Sequence, residues 1–162
     1  MNGLCRPGLL GAALAVALAP AAFLHPVRIS GRSMEPRMVP GTVCLALRAW
    51  CAGVPAPGQI WLVRTPAGTA VKRLVGLPGD RVEIRAGGLW INGRPVYEPY
   101  TKVDEPEWDG PWATGQGYFL LGDNRGASRD CRTWGPLPGG ALVGRIILQG
   151  RGYRRRMGPD IR

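Results

Sequence analysis

The sequence predicts a mostly β fold, a compact antiparallel sheet that is barrel-like in outline, with a small accessory β region and one transmembrane helix before it. Three observations support this prediction. Short runs rich in β-branched and aromatic residues recur along the chain, and Gly- and Pro-containing turns separate them. Beyond residue 26 no run keeps a helical period for more than a few turns. The amino terminus, in contrast, is apolar and uncharged.

The apolar segment at residues 7–25 is expected to cross the membrane once. No charged side chain occurs from residue 7 to residue 24, which is close to the length that a helix needs to span a hydrocarbon core. We therefore expect a short cytoplasmic terminus at residues 1–6, a single-pass location in the cell membrane, and the rest of the chain on the extracytoplasmic side. A cleaved signal peptide is the alternative, although Pro20 would make a poor scissile bond.

A β-rich domain is expected at residues 26–150, since 162 residues suit one domain plus an appendage. Asn92 and Gly93 predict the turn of a hairpin. An accessory β region is expected at about 81–117, and a basic tail at residues 151–162. We expect the acidic, tryptophan-bearing stretch 104–112 to be an exposed loop. The predicted strands cover residues 42–47, 59–63, 69–76, 81–85, 89–93, 118–123 and 141–149.

The net charge of +10 fits either nucleic acid or an anionic membrane surface as a partner. Charge alone does not choose between these partners, but the apolar amino terminus favours the membrane. We therefore expect membrane lipids, and no nucleic acid, among the partners. A non-enzymatic basic module that binds nucleic acid is the weaker alternative.

The histidine and cysteine content limits the kinds of catalytic and metal site that the chain can form. His25 is the single histidine and lies at the end of the predicted anchor, so a catalytic site on the β domain would need a base other than imidazole. The chain has no C-x-x-C pair, and we expect no metal and no cofactor. Among Cys44, Cys51 and Cys131 at most one disulfide can form within the β domain, and Cys44 with Cys51 is the least strained pair.

Lys72 stands out in the run "TAVKRLVGLPGD" because only Lys72 and Lys102 are lysines among 21 basic side chains. A lysine amine can lose its proton when it is buried, whereas a guanidinium stays charged. Upstream, Ser33 lies in "SGRSMEPRMVPGT", a turn-rich stretch just before a predicted strand. A neutral lysine can activate a serine hydroxyl as a nucleophile, although a lone lysine or serine is more often an ordinary surface or turn residue.

A third stretch, "GDNRGASRDCRTWG" at residues 122–135, packs charged and polar side chains into one loop after an apolar run. By composition it could be a solvated turn held by ion pairs. Taken in order, however, the three stretches resemble the three signature boxes of type I signal peptidases, the membrane-bound Ser-Lys enzymes that remove signal peptides from exported proteins. The resemblance runs from the anchor to about residue 145.

The resemblance implies Ser33 as the nucleophile and Lys72 as the general base of a serine endopeptidase. It implies that Ser128 hydrogen-bonds the lysine amine, and that Asp130 pairs with both Arg132 and Arg73. Gly122, Asp123 and Asn124 match the turn that carries this loop.

The resemblance also implies a substrate site for signal peptides of exported precursors, cleaved after small residues at the first and third positions before the cut. Ile29 and Val71 correspond to apolar walls of the pockets, and Met34 and Pro36 to fixed neighbours of the nucleophile. Gly31 stands where some members carry a serine whose hydroxyl helps to hold the oxyanion, so the second oxyanion donor stays open. A peptidase dedicated to a single exported, pilin or conjugation substrate is the alternative function. We expect a monomer.

Overall fold

The computed structural model describes residues 22–103 and 109–149, and antiparallel strands make up most of its regular structure. Six strands form the larger sheet, in the order β1-β2-β10-β3-β4-β9. Four strands form the smaller sheet, in the order β7-β6-β5-β8. The mostly β, antiparallel fold predicted from the sequence is therefore confirmed.

The strands of the larger sheet are β1 (Leu24–Arg28), β2 (Val43–Arg48), β3 (Ile60–Thr65), β4 (Gly68–Gly76), β9 (Phe119–Leu121) and β10 (Leu142–Gln149). Those of the smaller sheet are β5 (Arg81–Arg85), β6 (Gly88–Ile91), β7 (Arg94–Pro95) and β8 (Asp109–Ala113). A short helix, α1, spans Cys131–Trp134, and 3-10 turns span Ala49–Cys51, Arg125–Ala127 and Gly139–Ala141.

The larger sheet brings distant parts of the chain together through two pairings of β4. On one side β3 pairs with β4 so that Trp61 faces Lys72 across the ladder. On the other side β9 pairs only with the second half of β4, with Leu121 opposite Arg73. Because β9 ends there, the loop that follows it begins beside Lys72. We call this loop, residues 122–130, the polar loop.

The smaller sheet is inserted between β4 and β9, and a tight turn leads into it. Asp80 accepts a hydrogen bond from the Leu77 N–H at 2.7 Å, which closes the turn after β4. Asn92 and Gly93 have φ of 51° and 76°, the left-handed values that a two-residue hairpin turn between β6 and β7 requires. This small sheet contains the hairpin expected from the sequence.

Two apolar clusters stabilise the domain. The larger one lies where the two sheets meet and includes Trp61, Leu74, Val82, Leu89 and Phe119. The smaller one lies beneath the loop between β1 and β2. Its buried members are Ile29, Met34, Met38, Cys44 and Ile60, so the chain is held by buried Ile29 before Ser33 and by two buried methionines after it.

The structure corrects three expectations. Residues 109–113 form strand β8, although 104–112 was expected to be a loop; residues 104–108 lie outside the described part. This stretch pairs with β5 because Trp112 is opposite Val82 and packs on Phe119. The three described cysteines are all free, so Cys44 and Cys51 do not pair. Leu24 and His25 belong to β1 and not to an anchor helix, since β1 pairs along its length with β2.

The rest of the predicted anchor and the basic tail at residues 151–162 lie outside the described residues. Within residues 22–103 and 109–149, no helix is long and apolar enough to cross a membrane.

Candidate active site

The site forms where the loop between β1 and β2 meets strand β4. This loop folds back on itself, because the Met38 N–H donates to the Met34 carbonyl at 2.8 Å and the Gly41 N–H to the Ile29 carbonyl at 2.8 Å. Met34 and Met38 are both buried. The two methionines anchor the loop in the smaller apolar cluster and leave Ser33 at the protein surface beside β4.

Lys72 and Ser33 are in direct contact. The Lys72 Nζ lies 2.7 Å from the Ser33 Oγ, a short hydrogen bond between residues 39 positions apart. Lys72 is 3% exposed. Its burial lowers the pKa of the amine from 10.5 to about 8, with Arg132 also lowering it and Asp130 and Asp123 opposing the shift. The amine is therefore neutral in an appreciable fraction of molecules near neutral pH.

The loop after β9 holds the other side of Ser33. The Asn124 N–H donates to the Ser33 carbonyl at 2.9 Å, and the Asn124 Nδ2 donates to the Arg32 carbonyl at 3.3 Å. A glycine is needed at residue 122, since a Cβ there would lie 2.6 Å from the Ser33 carbonyl oxygen and would also meet the Ser128 side chain. The loop that carries Ser33 and the polar loop are therefore in close van der Waals contact at Gly122.

Two buried ion pairs brace the polar loop. Asp123 accepts two bonds from Arg73, at 2.8 and 2.6 Å. Asp130 is fully buried and accepts from the Arg132 Nε at 2.9 Å and from the Gly122 N–H at 3.0 Å. Arg73 therefore pairs with Asp123, and the pairing of Arg73 with Asp130 that was expected from the sequence does not form. The reason is the β4–β9 register, which places Arg73 opposite Leu121, two residues before Asp123.

Ser128 does not make the hydrogen bond with Lys72 that the resemblance implied. Its Oγ is buried and has no hydrogen-bond partner among the described residues. The Ser128 side chain lies against Gly122. In the structure Ser33 is the side chain that the Lys72 amine contacts.

A cleft of about 280 Å³ opens next to Ser33. It lies between residues 27–31, at the end of β1, and residues 69–71, at the start of β4. Ile29, Gly31, Met34 and Val71, four of the five residues expected to bind substrate, line it. Pro36 does not; it lines a separate depression with Arg37, Pro99, Tyr100 and Gln149, because the loop has turned away from the cleft by that point.

Three side chains near this site have no role predicted from the sequence. Glu98 and Tyr100 lie between β7 and β8, and Arg125 belongs to the polar loop. Arg125 donates to both carboxylate oxygens of Glu98 at 2.7 Å. In the sequence, Glu98 and Tyr100 are visible only as the acid and tyrosine of "YEPY". Nothing in their spacing from the three signature stretches predicts that they contact the polar loop.

Other chemistry receives little support from the described residues. No three His, Cys, Asp or Glu side chains within 22–103 and 109–149 converge as a metal site would require. Cys131 lies near Lys72, but burial raises the pKa of its thiol to about 12. That thiol stays protonated and is a poor nucleophile.

A serine hydroxyl and a buried lysine amine are in contact beside an open apolar cleft, and the β-rich domain has no catalytic histidine. These features define a serine peptidase of the Ser-Lys type. Comparison with known families agrees. The family described as "Signal peptidase, peptidase S26" matches residues 8–149, and the chain belongs to that family.

Individual relatives carry the same name. The chain is similar to a signal peptidase I of Leptolyngbya laminosa, 34% identical over 80 residues, which are 49% of this chain and 39% of that protein. It is 28% identical over 148 residues to signal peptidase IB of Staphylococcus aureus, with 78% of each chain covered. A solved signal peptidase I from Enterococcus faecalis superimposes with a TM-score of 0.51 and 28% identity, over 59% of this chain and 98% of that one.

Proposed function

We propose that this chain is a signal peptidase that removes N-terminal signal peptides from exported precursors, with Ser33 as nucleophile and Lys72 as general base. The observation that carries the proposal is the 2.7 Å contact between the Lys72 Nζ and the Ser33 Oγ beside an open cleft. The distance is within the reach that a base needs to take the serine proton.

In the proposed reaction Ser33 attacks the scissile carbonyl while neutral Lys72 accepts its proton. The lysine then passes the proton to the leaving amine, and an acyl-enzyme forms. Lys72 next activates a water molecule, which releases the signal peptide and returns the serine. With the pKa of the amine at about 8, roughly a tenth of the molecules hold a neutral lysine at pH 7.

The oxyanion formed in each step would be stabilised by the Ser33 N–H. That N–H donates to no acceptor among the described residues, so it is available to the substrate. A main-chain donor at the nucleophile that is fixed before the substrate arrives would stabilise the transition state electrostatically. Gly31, two residues upstream, has no side chain that could supply a second donor.

The substrate would bind as an extended strand. β1 is an end strand of the larger sheet, and β9 pairs with β4 only from Arg73 onward, so the edges of β1 and of β4 at residues 68–72 have no described strand paired to them on the cleft side. An extended peptide lying between these edges can use main-chain hydrogen bonds from both. The apolar side chains of Ile29, Leu62 and Val71 line the cleft and would contact the small side chains of the substrate.

The chain would act at the membrane, with the apolar segment from residue 7 to the start of β1 as a single anchor and the β domain on the extracytoplasmic side. The uncharged apolar composition of that segment supports the anchor, and the net charge of +10 suits an anionic lipid surface. An enzyme held at the membrane meets membrane-bound precursors by diffusion in two dimensions.

The test is to incubate detergent-solubilised full-length protein with an exported precursor and to map the cut by mass spectrometry of both products. We expect one cut after a small residue, with small residues at the first and third positions before it. Ser33→Ala is the control and should leave the precursor whole. No cleavage by the parent protein, or equal cleavage by Ser33→Ala, would overturn the proposal.

A further inference from the structure

Residues 98–102, which follow β7, lie against residues 122–128 of the polar loop. Main-chain hydrogen bonds join the two segments. The Lys102 N–H donates to the Asp123 carbonyl at 2.8 Å, and the Arg125 N–H donates to the Lys102 carbonyl at 3.0 Å. We call residues 98–102 the strap. It connects the accessory sheet to the loop that contacts Ser33.

Glu98 at the start of the strap neutralises a buried arginine of the polar loop. The side chains of Arg125 and Glu98 are 3% and 6% exposed, and both carboxylate oxygens lie 2.7 Å from the Arg125 Nη2. The Arg125 Nε also donates to the Gly122 carbonyl at 3.1 Å. Glu98 therefore holds the guanidinium that also donates to the carbonyl of Gly122, the glycine that packs against the Ser33 carbonyl.

Tyr100 carries this linkage to strand β4. Its hydroxyl donates to the Glu98 carboxylate at 3.0 Å. Its ring lies under the Arg73 guanidinium, 3.7 Å from the ring centroid, the geometry of a cation–π contact. Arg73 is the residue after Lys72 on β4. The tyrosine thus contacts both the strand that carries the lysine and the acid that holds the polar loop.

These contacts form a closed path between the two reacting groups. From Lys72 the path runs along β4 to Arg73, then through Tyr100 and Glu98 to the loop. It returns through Asn124, whose N–H holds the Ser33 carbonyl at 2.9 Å. A shift of the loop relative to β4 changes the distance between the Ser33 Oγ and the Lys72 Nζ, because the first is held by the loop and the second by the strand.

We propose that Glu98 and Tyr100 are positioning residues that hold the Ser33 loop at reacting distance from Lys72. The inference rests on the proposed function of the site. Neither residue lines the cleft beside Ser33, so each acts through the residues it contacts and not through the substrate. A small misplacement of reacting groups lowers the rate of a reaction steeply, which makes such residues visible in kcat.

Glu98→Gln and Tyr100→Phe test the inference in the full-length, detergent-solubilised protein. The first variant removes the charge that Arg125 faces, and the second removes only the hydroxyl bond to Glu98 while it keeps the ring against Arg73. Glu83→Gln is the matched control for the acid, since Glu83 also pairs with arginines, Arg81 and Arg85 of the smaller sheet, but does not line the cleft beside Ser33. Tyr97→Phe, at an exposed tyrosine, is the control for the phenol.

Cleavage of a precursor is measured well below the melting temperature of each variant, so that global unfolding does not contribute. We expect kcat to fall at least about tenfold in Glu98→Gln and severalfold in Tyr100→Phe, with KM within about twofold of the parent. The double variant should be no slower than about the Glu98→Gln variant, because both changes break one path. Both controls should keep the kcat of the parent.

Three results would overturn the inference. The first is an unchanged kcat in both variants while the parent cleaves. The second is a raised KM with an unchanged kcat, which would mean that the two residues take part in substrate binding. The third is an equal loss in Glu83→Gln, which would mean that the loss reflects general destabilisation. A parent protein that cleaves no precursor overturns the proposed function instead, and this inference falls with it.

Discussion

Ser33 and Lys72 are joined by a hydrogen bond of 2.7 Å although 39 positions separate them in the chain. Each is placed by a different part of the fold. Buried Met34 and Met38 hold the serine loop, and the β3–β4–β9 pairing holds the lysine. The contact therefore depends on the larger sheet and on the loop after β9 being packed together, and the predictions below address each of these parts.

Lys72→Arg should abolish activity. The substitution keeps the charge and much of the length, but a guanidinium keeps its proton, so Ser33 would not be activated. We expect cleavage of a precursor to fall by about 10²-fold to 10⁴-fold, the usual contribution of a general base. Arg64→Lys, a reverse exchange at an exposed site on β3, should cleave at the parent rate. Parent-like activity in folded Lys72→Arg would show that the base lies elsewhere.

Activity should rise with pH through the pKa of the lysine. The reactive form is the neutral amine, and burial lowers its pKa to about 8, so neutral lysine is the minor form below that pH and the major form above it. The measurement is kcat/KM against pH, which reports the free enzyme, and we expect half of the maximal value near pH 8. A profile that is flat from neutral to alkaline pH contradicts the assigned role.

Lys72→Met should stabilise the folded domain at neutral pH while it abolishes cleavage. The pKa of the amine falls from 10.5 to about 8 on folding, so the unfolded chain binds more protons between these pH values. The free energy of unfolding of the parent should therefore increase as pH rises across that window. Removing the buried amine removes the cost of burying it, and we expect a gain of about 1–3 kcal/mol in denaturant unfolding at pH 7. A loss of stability would mean that the charge is well compensated.

Gly122→Ala should disable the site with little loss of the fold elsewhere. The new Cβ would lie 2.6 Å from the Ser33 carbonyl oxygen, so the polar loop and the nucleophile loop must move apart. We expect at least about a 10²-fold loss in kcat from the misplaced serine. Gly140→Ala is the matched control, because a Cβ there meets no described atom within 4 Å. Full activity in Gly122→Ala would show that the loops separate without moving Ser33.

Asp130→Asn should destabilise the domain strongly. The carboxylate is fully buried, and the substitution removes its negative charge from beside the Arg132 guanidinium, which is 11% exposed. Breaking a buried pair from one side costs about 3–5 kcal/mol, read from denaturant unfolding. Glu35→Gln breaks the exposed pair with Arg32 and should change stability by less than about 1 kcal/mol. Equal effects of the two changes would contradict the importance of burial.

Sequence alone was sufficient for the fold class, for most of the strands and for the Ser33 and Lys72 pair as candidates. The reason is local: alternation and turn residues define strands such as Arg81–Arg85, and a lysine in an arginine-rich chain reveals a chemical requirement. Strand β8 was missed because Gly and Pro are typical of loops, and its pairing comes from Trp112 packing against Phe119.

Tertiary structure alone decided which charged groups pair and which residues line the cleft. Arg73 bonds Asp123 and not Asp130 because strand register, not spacing in the chain, sets which side chains meet. The same is true of Glu98, whose partner Arg125 lies 27 residues away. The sequence shows that Glu98 and Arg125 are charged, but not that they meet. The ion pair is strong because both side chains are buried, and their burial results from the packing of the sheets.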